Sequence, residues 1–451
     1  MTTQQYIDLP TVNQAPNIRI TQLDVLRGFA VLGIYWINVV IFGLPSGGYA
    51  LPNMLGQAES LNIGHWMFSE LFVEGSMRGL FSMLFGASAM IFLSESRLGA
   101  SGLMIVDRYY RRNLLLILFG VIHAYIFLWP YDVLYAYGLI GLFLFPLRRL
   151  GATILIIAGC LLLVIGDLEY GKPLAEKPDS LLVSNLNDPD RDKSGPQTPA
   201  SEAESAGEAK NDAADIKDKQ AEDYRESMQA QMEEDTILHQ SGYLKIFRGQ
   251  LEEVVSQQSL YMYSVHFYDI GGMMLIGMAL LKLGVLSGKR SLGFYLALAV
   301  AGYAISMAIR SFNISAELSH GFVTDDITEH GGVTYAIGRL PLTLGHIGLI
   351  GILCRYSIFN FMTNTLAKVG RLALSNYIMQ TLISVWLFYG VGWGLIGVFE
   401  RYQLTYVCLA VWIIQITFSI KWLKHFQFGP LEWVWRSLIY GKRQPMIKPD
   451  C

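Results

Sequence analysis

His123 and Asp132 stand nine residues apart in LLILFGVIHAYIFLWPYDVLYAYG, on either side of a Trp-Pro pair that must turn the chain. A carboxylate brought back across such a turn would fix the tautomer of the imidazole. The imidazole could then act as a general base near neutral pH. His65 is a second candidate base. Asn38, Asp24 and Arg27 lie in LDVLRGFAVLGIYWIN, and His266, Asp269, Arg310, Arg339, His346, Asn376 and Gln380 lie in later apolar stretches. Each charged group near the centre of a membrane helix costs about 2.5–3.5 kcal/mol on insertion scales. Their number predicts a polar cavity opening to one membrane face. Interhelical glue explains any one of them equally well.

The elements that must position these groups are long and apolar. Of 451 residues, 52% are hydrophobic and only 16% charged, and the mean hydropathy is +0.36. A soluble chain carries about 25% charged residues, so the composition predicts an all-α, polytopic membrane protein. With about 20 helical residues needed per crossing, ten candidate spans emerge. They are 23–44, 66–94, 109–129, 132–147, 151–168, 259–286, 291–311, 333–354, 372–390 and 403–424. An eleventh helix arises if HWMFSELFVEG forms a separate entry segment before GLFSMLFGASAMIFL, 79–93. Arg310 is expected to end the seventh span, and Tyr135 and Tyr137 to belong to an interfacial aromatic belt.

Lys and Arg gather in alternate short loops: Arg97 to Arg112, Arg148–Arg149, Lys289–Arg290, Lys368–Arg371 and Lys442–Lys448. The positive-inside rule then puts both termini in the cytoplasm, with the first span acting as an uncleaved signal. Five segments follow: a tail over 1–20, a membrane bundle over 21–168, an acidic loop over 169–240, a second bundle over 241–428 and a tail over 429–451. The loop is expected outside the membrane and mostly disordered, because it is too polar to offset its ordering entropy. Deleting residues 175–235 is expected to be tolerated. GYLKIFRGQLEEVV, 242–255, regains helical periodicity and is expected on the outer membrane surface.

A net charge of −3 with no basic groove argues against nucleic acid. Cysteine spacing suggests neither a metal site nor a disulfide framework. No nucleophile elbow, P-loop, dinucleotide fingerprint or HExxH is present, and GASAM reads as helix packing.

RITQLDVLRGFAVLGIYWIN resembles the first span of the transmembrane acyltransferase superfamily, with Asn38 as in the branch of heparan-alpha-glucosaminide N-acetyltransferase. RGLFSMLFGAS, GVIHAYIFLWPYDVLYAYGLIGL, GRLALSNYIMQTLISVWLFYG and FGPLEWVWRSLIYG resemble, in order, the YeiB family of bacterial inner-membrane proteins. The resemblance implies transfer from a cytoplasmic thioester, acyl-CoA as co-substrate, to a hydroxyl or amine acceptor on the outer side. No tightly bound cofactor is implied.

In that scheme His123 or His65 is the base and Asp132 its orienting group. Asn38 or Gln380 donates to the oxyanion, and Arg27, Arg111 and Arg112 meet the donor phosphates. Asp24, His266, Asp269, Arg339 and Asn376 complete the binding surfaces. Membrane lipids, a glycan, lipid or small-metabolite acceptor and a second copy of the chain are the expected partners. The alternative is a transporter or lipid-handling protein, whose polar groups line a path with no covalent chemistry.

Overall fold

A computed structural model of the chain describes residues 21–49, 51–52, 57–95, 102–170, 225–319, 322 and 326–448. The described residues are helical apart from turns and one isolated bridge, Phe426 to Ile447. The helices run α1 (Thr21–Gly43), α2 (Glu59–Phe72), α3 (Ser76–Glu95), α4 (Gly102–Val121), α5 (Leu134–Leu147), α6 (Ala152–Tyr170), α7 (225–239), α8 (Tyr243–Gly249) and α9 (Leu251–Gln258). They continue with α10 (Phe267–Lys282), α11 (Leu292–Ser319), α12 (Asp326–Leu353), α13 (Asn360–Arg371), α14 (Ala373–Phe388), α15 (Leu404–His425) and α16 (Pro430–Tyr440). Single turns of π-helix precede α10, at Met262–His266, and follow α4, at Ile122–Ile126.

Among the described residues, five segments are long and apolar enough to cross a membrane: Thr21–Gly43, Glu59–Ser94, Leu251–Lys282, Leu292–Ser319 and Arg401–His425. A sixth arises if Ile337–Leu353 and Ser357–Arg371, bent by 103°, count as one broken span. Leu134–Leu147, Ala152–Leu168 and Ala373–Phe388 are apolar but shorter. Within the long second segment the chain forms two consecutive helices, α2 and α3.

Close backbone crossings hold the bundle together. A Cβ on Gly86 of α3 would lie 2.2 Å from the Met274 carbonyl oxygen, and one on Gly277 of α10 would lie 2.0 Å from that of Met83. The GASAM stretch is therefore a packing face, as its small residues suggest. In the same way Gly28 of α1 meets the Leu366 carbonyl and Gly370 meets that of Asp24, so α13 lies directly on the start of α1.

Charged side chains link the helices at both ends of the bundle. At one, basic side chains bind carbonyls across helices: Lys282 to Arg148 at 3.0 Å, Arg355 to Gly288 at 3.2 Å and Arg371 to Gln427 at 3.1 Å. At the other, carboxylates do much of the linking. Asp235 accepts the Ser46 N–H at 2.8 Å, and Glu400 accepts from Asn62 at 3.0 Å. At this Ser46–Glu400 end Arg401 also donates to the carbonyls of Gly48 (3.0 Å) and Tyr49 (2.7 Å).

Several expectations are corrected here. The loop expected over 169–240 contains α7, whose Met232 is buried against the bundle and whose Asp235 ties it to Ser46. A deletion reaching 235 would remove those contacts. Residues 171–224 and 1–20 lie outside the described residues. Arg310 sits inside α11, not at its end, and its guanidinium donates to the carbonyls of Glu70 and of Glu74 (2.9 Å). A cation there complements the exposed carbonyls at the C-terminus of α2. The segment before α14 is the amphipathic helix α13. The 429–451 tail contains α16, whose Trp435 indole donates to the Arg112 carbonyl at 3.1 Å. Tyr137 is fully buried and hydrogen-bonded to Ser82 at 2.8 Å, so it is no belt residue.

Candidate functional site

The turn after α4 is built irregularly. The π-turn at Ile122–Ile126 widens the helix, Leu128 takes a φ of +59°, and Pro130 prevents helix from resuming. Leu128 is not glycine, so the left-handed conformation is strained, and the packing around it must hold it there. Trp129 supplies much of that packing, fully buried and stacked on Phe42 with ring centroids 4.1 Å apart. Gly120 lets the returning chain come close, since a Cβ there would lie 2.3 Å from Tyr135 N and 2.6 Å from Asp132 Oδ2.

This geometry brings His123 and Asp132 together. Asp132 Oδ1 lies 2.6 Å from His123 Nδ1, while Oδ2 accepts the Tyr135 N–H at 2.8 Å and so caps α5. The other ring nitrogen, Nε2, lies 2.8 Å from the hydroxyl of Thr381 on α14. Side-chain exposures of 0% for His123 and 1% for Asp132 leave no room for water to compete. With Asp132 accepting from Nδ1–H, a neutral His123 presents Nε2 as acceptor to the Thr381 O–H. The Tyr377 ring packs edge-on to the imidazole at 4.9 Å, and its hydroxyl accepts the Val133 N–H at 3.5 Å.

A second polar cluster surrounds Asp269, which pairs with Arg78 at 3.1 Å and with Arg339. The Arg78 carbonyl accepts from Tyr137 and Ser82, so this cluster continues toward the His123 turn. His346 is held at both nitrogens. Nε2 donates to the Phe72 carbonyl at 3.0 Å, and Nδ1 accepts from the Tyr303 hydroxyl at 2.9 Å. His266 is bound through Nε2 to Gln257 at 3.1 Å.

The remaining candidates are not brought to His123. His65 stacks on Trp36 of α1 (5.1 Å, 6° between planes), and neither of its ring nitrogens has a hydrogen-bond partner among the described residues. Trp36 faces His65 while the preceding Tyr35 bonds Ser384 of α14 at 2.9 Å, so α1 stands between the two histidines. Asn38 is half-buried and joins none of these networks. Asn376 and Gln380 cross-link helices. Asn376 donates to Val369 O and Ser419, and Gln380 to Val31 O (2.9 Å) and Gln415 (3.1 Å).

At the basic end Asp24 and Arg27 form a 3.0 Å pair, and Arg27 also donates to Ser88 at 2.5 Å. Arg112 is enclosed by the rings of Phe85, Phe92 and Trp435. That aromatic box takes Arg112 out of reach of an incoming phosphate, correcting its expected role. Arg111 is exposed and pairs with Asp107 at 3.0 Å.

Sequence reasoning missed Thr381, Tyr377, Arg78 and Ser82. For the first two the sequence shows a shared helix face but not what that face meets. Tyr377 and Thr381 are one turn apart in SNYIMQTLIS and share a helix face.

Residues 280–442 match the family model described as "Protein of unknown function (DUF418)". Over 442 residues the chain is 29% identical to "Uncharacterized protein YeiB" of Escherichia coli (strain K12), covering 94% of this chain and 97% of that protein. It is 27% identical to "Uncharacterized protein YxaH" of Bacillus subtilis (strain 168), with 96% and 97% covered. No solved structure matches. Over nearly its whole length the chain is thus similar to YeiB and YxaH, and its C-terminal part to the DUF418 model.

Proposed function

We propose that the protein is a membrane acyltransferase in which His123, oriented by Asp132, is the general base. The basic end of the bundle faces the cytoplasm of a bacterial inner membrane and receives an acyl thioester, acyl-CoA. The acceptor, a hydroxyl or amine, arrives from the Ser46–Glu400 end. The observation that carries this reading is the placement of His123 Nε2, 2.8 Å from a hydroxyl oxygen, while Asp132 holds Nδ1 at 2.6 Å. That is the geometry of a base set to take a hydroxyl proton, in a dry site where electrostatic effects are strong.

Arg27, Arg111 and the neighbouring Arg108 and Arg436, which both lie over the Tyr440 ring, give the basic end its attraction for phosphates. Along α1, Arg27 is one turn, about 6 Å, from Val31. The Val31 carbonyl holds Gln380, the neighbour of Thr381. In this reading the donor's phosphates are held at Arg27 and its thioester extends along α1 toward α14.

The test is release of free CoA from acyl-CoA by purified protein in detergent or nanodiscs. His123→Ala should reduce it at least about 100-fold with monodispersity unchanged. Normal turnover in that variant would end the proposal.

A second reading is favoured by the polar continuity from Tyr137 and Ser82 to Arg78, Asp269 and Arg339. Such a chain suits a proton or solute path without covalent chemistry. Acyl-independent flux in liposomes, lost on Asp269→Asn and kept on His123→Ala, would select it.

A further inference from the structure

Thr381 lies inside α14, and its hydroxyl behaves unlike many others in this bundle. Ser69, Ser82, Ser88, Thr343 and Thr363 each turn their hydroxyl back to the carbonyl four residues earlier. That is the default for a hydroxyl with no water to meet. Thr381 instead spends its hydroxyl on His123 Nε2, 2.8 Å away on another segment. It is 2% exposed and the imidazole 0%. Any acceptor hydroxyl that used His123 directly would need the position Thr381 already fills.

The geometry points to Thr381 as a nucleophile that carries the acyl group between two half-reactions, an inference that rests on the acyl-transfer reading above. Asp132, His123 and Thr381 then form the chain of orienting carboxylate, base and activated hydroxyl used in covalent acyl transfer. In the first half-reaction Thr381 Oγ1 attacks the thioester carbonyl of acyl-CoA and its proton passes to His123 Nε2. The C–S bond breaks, the sulfur takes that proton, and CoA leaves as the free thiol. The acyl group is left as an ester on Oγ1.

In the second half-reaction an acceptor O–H or N–H attacks the ester carbonyl, again giving its proton to Nε2. The C–Oγ1 bond breaks, and Oγ1 recovers the proton. Thioester plus acceptor become acyl-acceptor plus thiol, with nothing else consumed.

Tyr377 stands one turn before Thr381 on the same face of α14. Its phenol oxygen accepts the Val133 N–H and its ring packs edge-on to the imidazole, which helps fix the orientation of His123 toward Thr381. A relay of this kind also suits a membrane. Donor and acceptor reach the site from opposite ends and need never occupy it together.

The test needs no acceptor. Full-length protein in nanodiscs is mixed with acetyl-, octanoyl- and palmitoyl-CoA in turn. Free CoA is followed by thiol reagent, and the peptide containing Thr381 by mass spectrometry. The expected result is a burst near one CoA per chain, with the acyl mass on Thr381 removed by hydroxylamine. Thr381→Ser should keep both burst and mass gain, and Thr381→Val should lose both while remaining monodisperse. Acyl mass on His123 or Ser384 would overturn the assignment. So would CoA release that waits for an added acceptor and persists in Thr381→Val, although acyl transfer itself would stand. If no acyl-CoA is cleaved under any condition, the acyl-transfer reading fails and this inference with it.

Discussion

Along α14, Asn376 and Gln380 face α1, α13 and α15, while Tyr377 and Thr381, one position further on, face the turn after α4. The first pair sits on regular helix and each side chain binds one backbone carbonyl and one neutral side chain: Val369 O and Ser419 for Asn376, Val31 O and Gln415 for Gln380. The second pair meets an irregular backbone, with a π-turn and a left-handed Leu128; Tyr377 accepts the Val133 N–H and Thr381 binds the His123 imidazole. Both sets are buried and polar. Regular helix with amide-to-carbonyl bonds is what interhelical glue requires, because amides can satisfy carbonyls without disturbing either helix. A strained turn that aims an imidazole at a hydroxyl has no such economy, and strain of this kind clusters at functional sites.

The comparison breaks most directly at Gly120. Gly120→Ala would push a methyl carbon against Tyr135 N and Asp132 Oδ2, both of which are fixed by the α5 cap. We expect about 3 kcal/mol of destabilisation, the upper range for overpacking, together with loss of CoA release. Thermal unfolding in detergent and the release assay measure the two. A stable, active Gly120→Ala protein would show that the close return of Asp132 is unnecessary.

Next in size is Arg27→Ala. Asp24 has a side-chain exposure of 6% and would lose its 3.0 Å partner, while Arg27 at 28% is partly screened by solvent. Removing one member of a buried pair costs about 3–5 kcal/mol. Discounted for that exposure, we expect about 1–3 kcal/mol. Asp24→Ala/Arg27→Ala should recover stability but keep a raised KM for acyl-CoA. An unchanged KM would make the pair structural only.

How much of this was legible beforehand follows the same division. Helices and most of their ends could be read, because an apolar run in a membrane has few alternatives to helix. The meeting of His123 with Asp132 was also legible, since a Trp-Pro turn nine residues long brings its ends together. Thr381 was not, because its partner is 258 positions away and a single threonine in an apolar helix carries no pattern. Helix α7 was hidden for a different reason: its composition is polar, and its order comes from docking Met232 and Asp235 onto loops elsewhere. Arg112 was misread because charge alone cannot distinguish an exposed cation from one boxed in by Phe85, Phe92 and Trp435.

Smaller effects test the amide side. Gln380 and Gln415 meet at 3.1 Å, and a double-mutant cycle to Leu should give a coupling of about 0.6 kcal/mol, and at most about 1.7. CoA release per folded molecule should be unchanged. A large loss of activity would mean that the two faces of α14 are not separate, and Gln380 would return as an oxyanion donor.

The smallest effect sits where α14 meets the tail. Glu432 of α16 accepts both the N–H of Ser375, at 3.0 Å, and its hydroxyl, at 2.5 Å. Burial pushes this carboxyl above its ordinary value, and the Ser375 hydrogen bonds pull only part of the way back. A raised folded-state pKa means that the folded protein holds the proton longer than the unfolded chain does. The stabilising contribution is therefore complete below the unfolded value, about 4.3, and is lost as pH rises through the folded one. We expect α16 to dock most firmly in mild acid and to loosen toward neutral pH. Trypsin cleavage after Lys442 and Arg443, timed across that range, reads the docking directly. Glu432→Gln keeps a neutral group at the Ser375 contact and should flatten the pH dependence. Loosening that persists unchanged in Glu432→Gln would assign the titration to another group, and α14 would then be anchored at this end by packing alone.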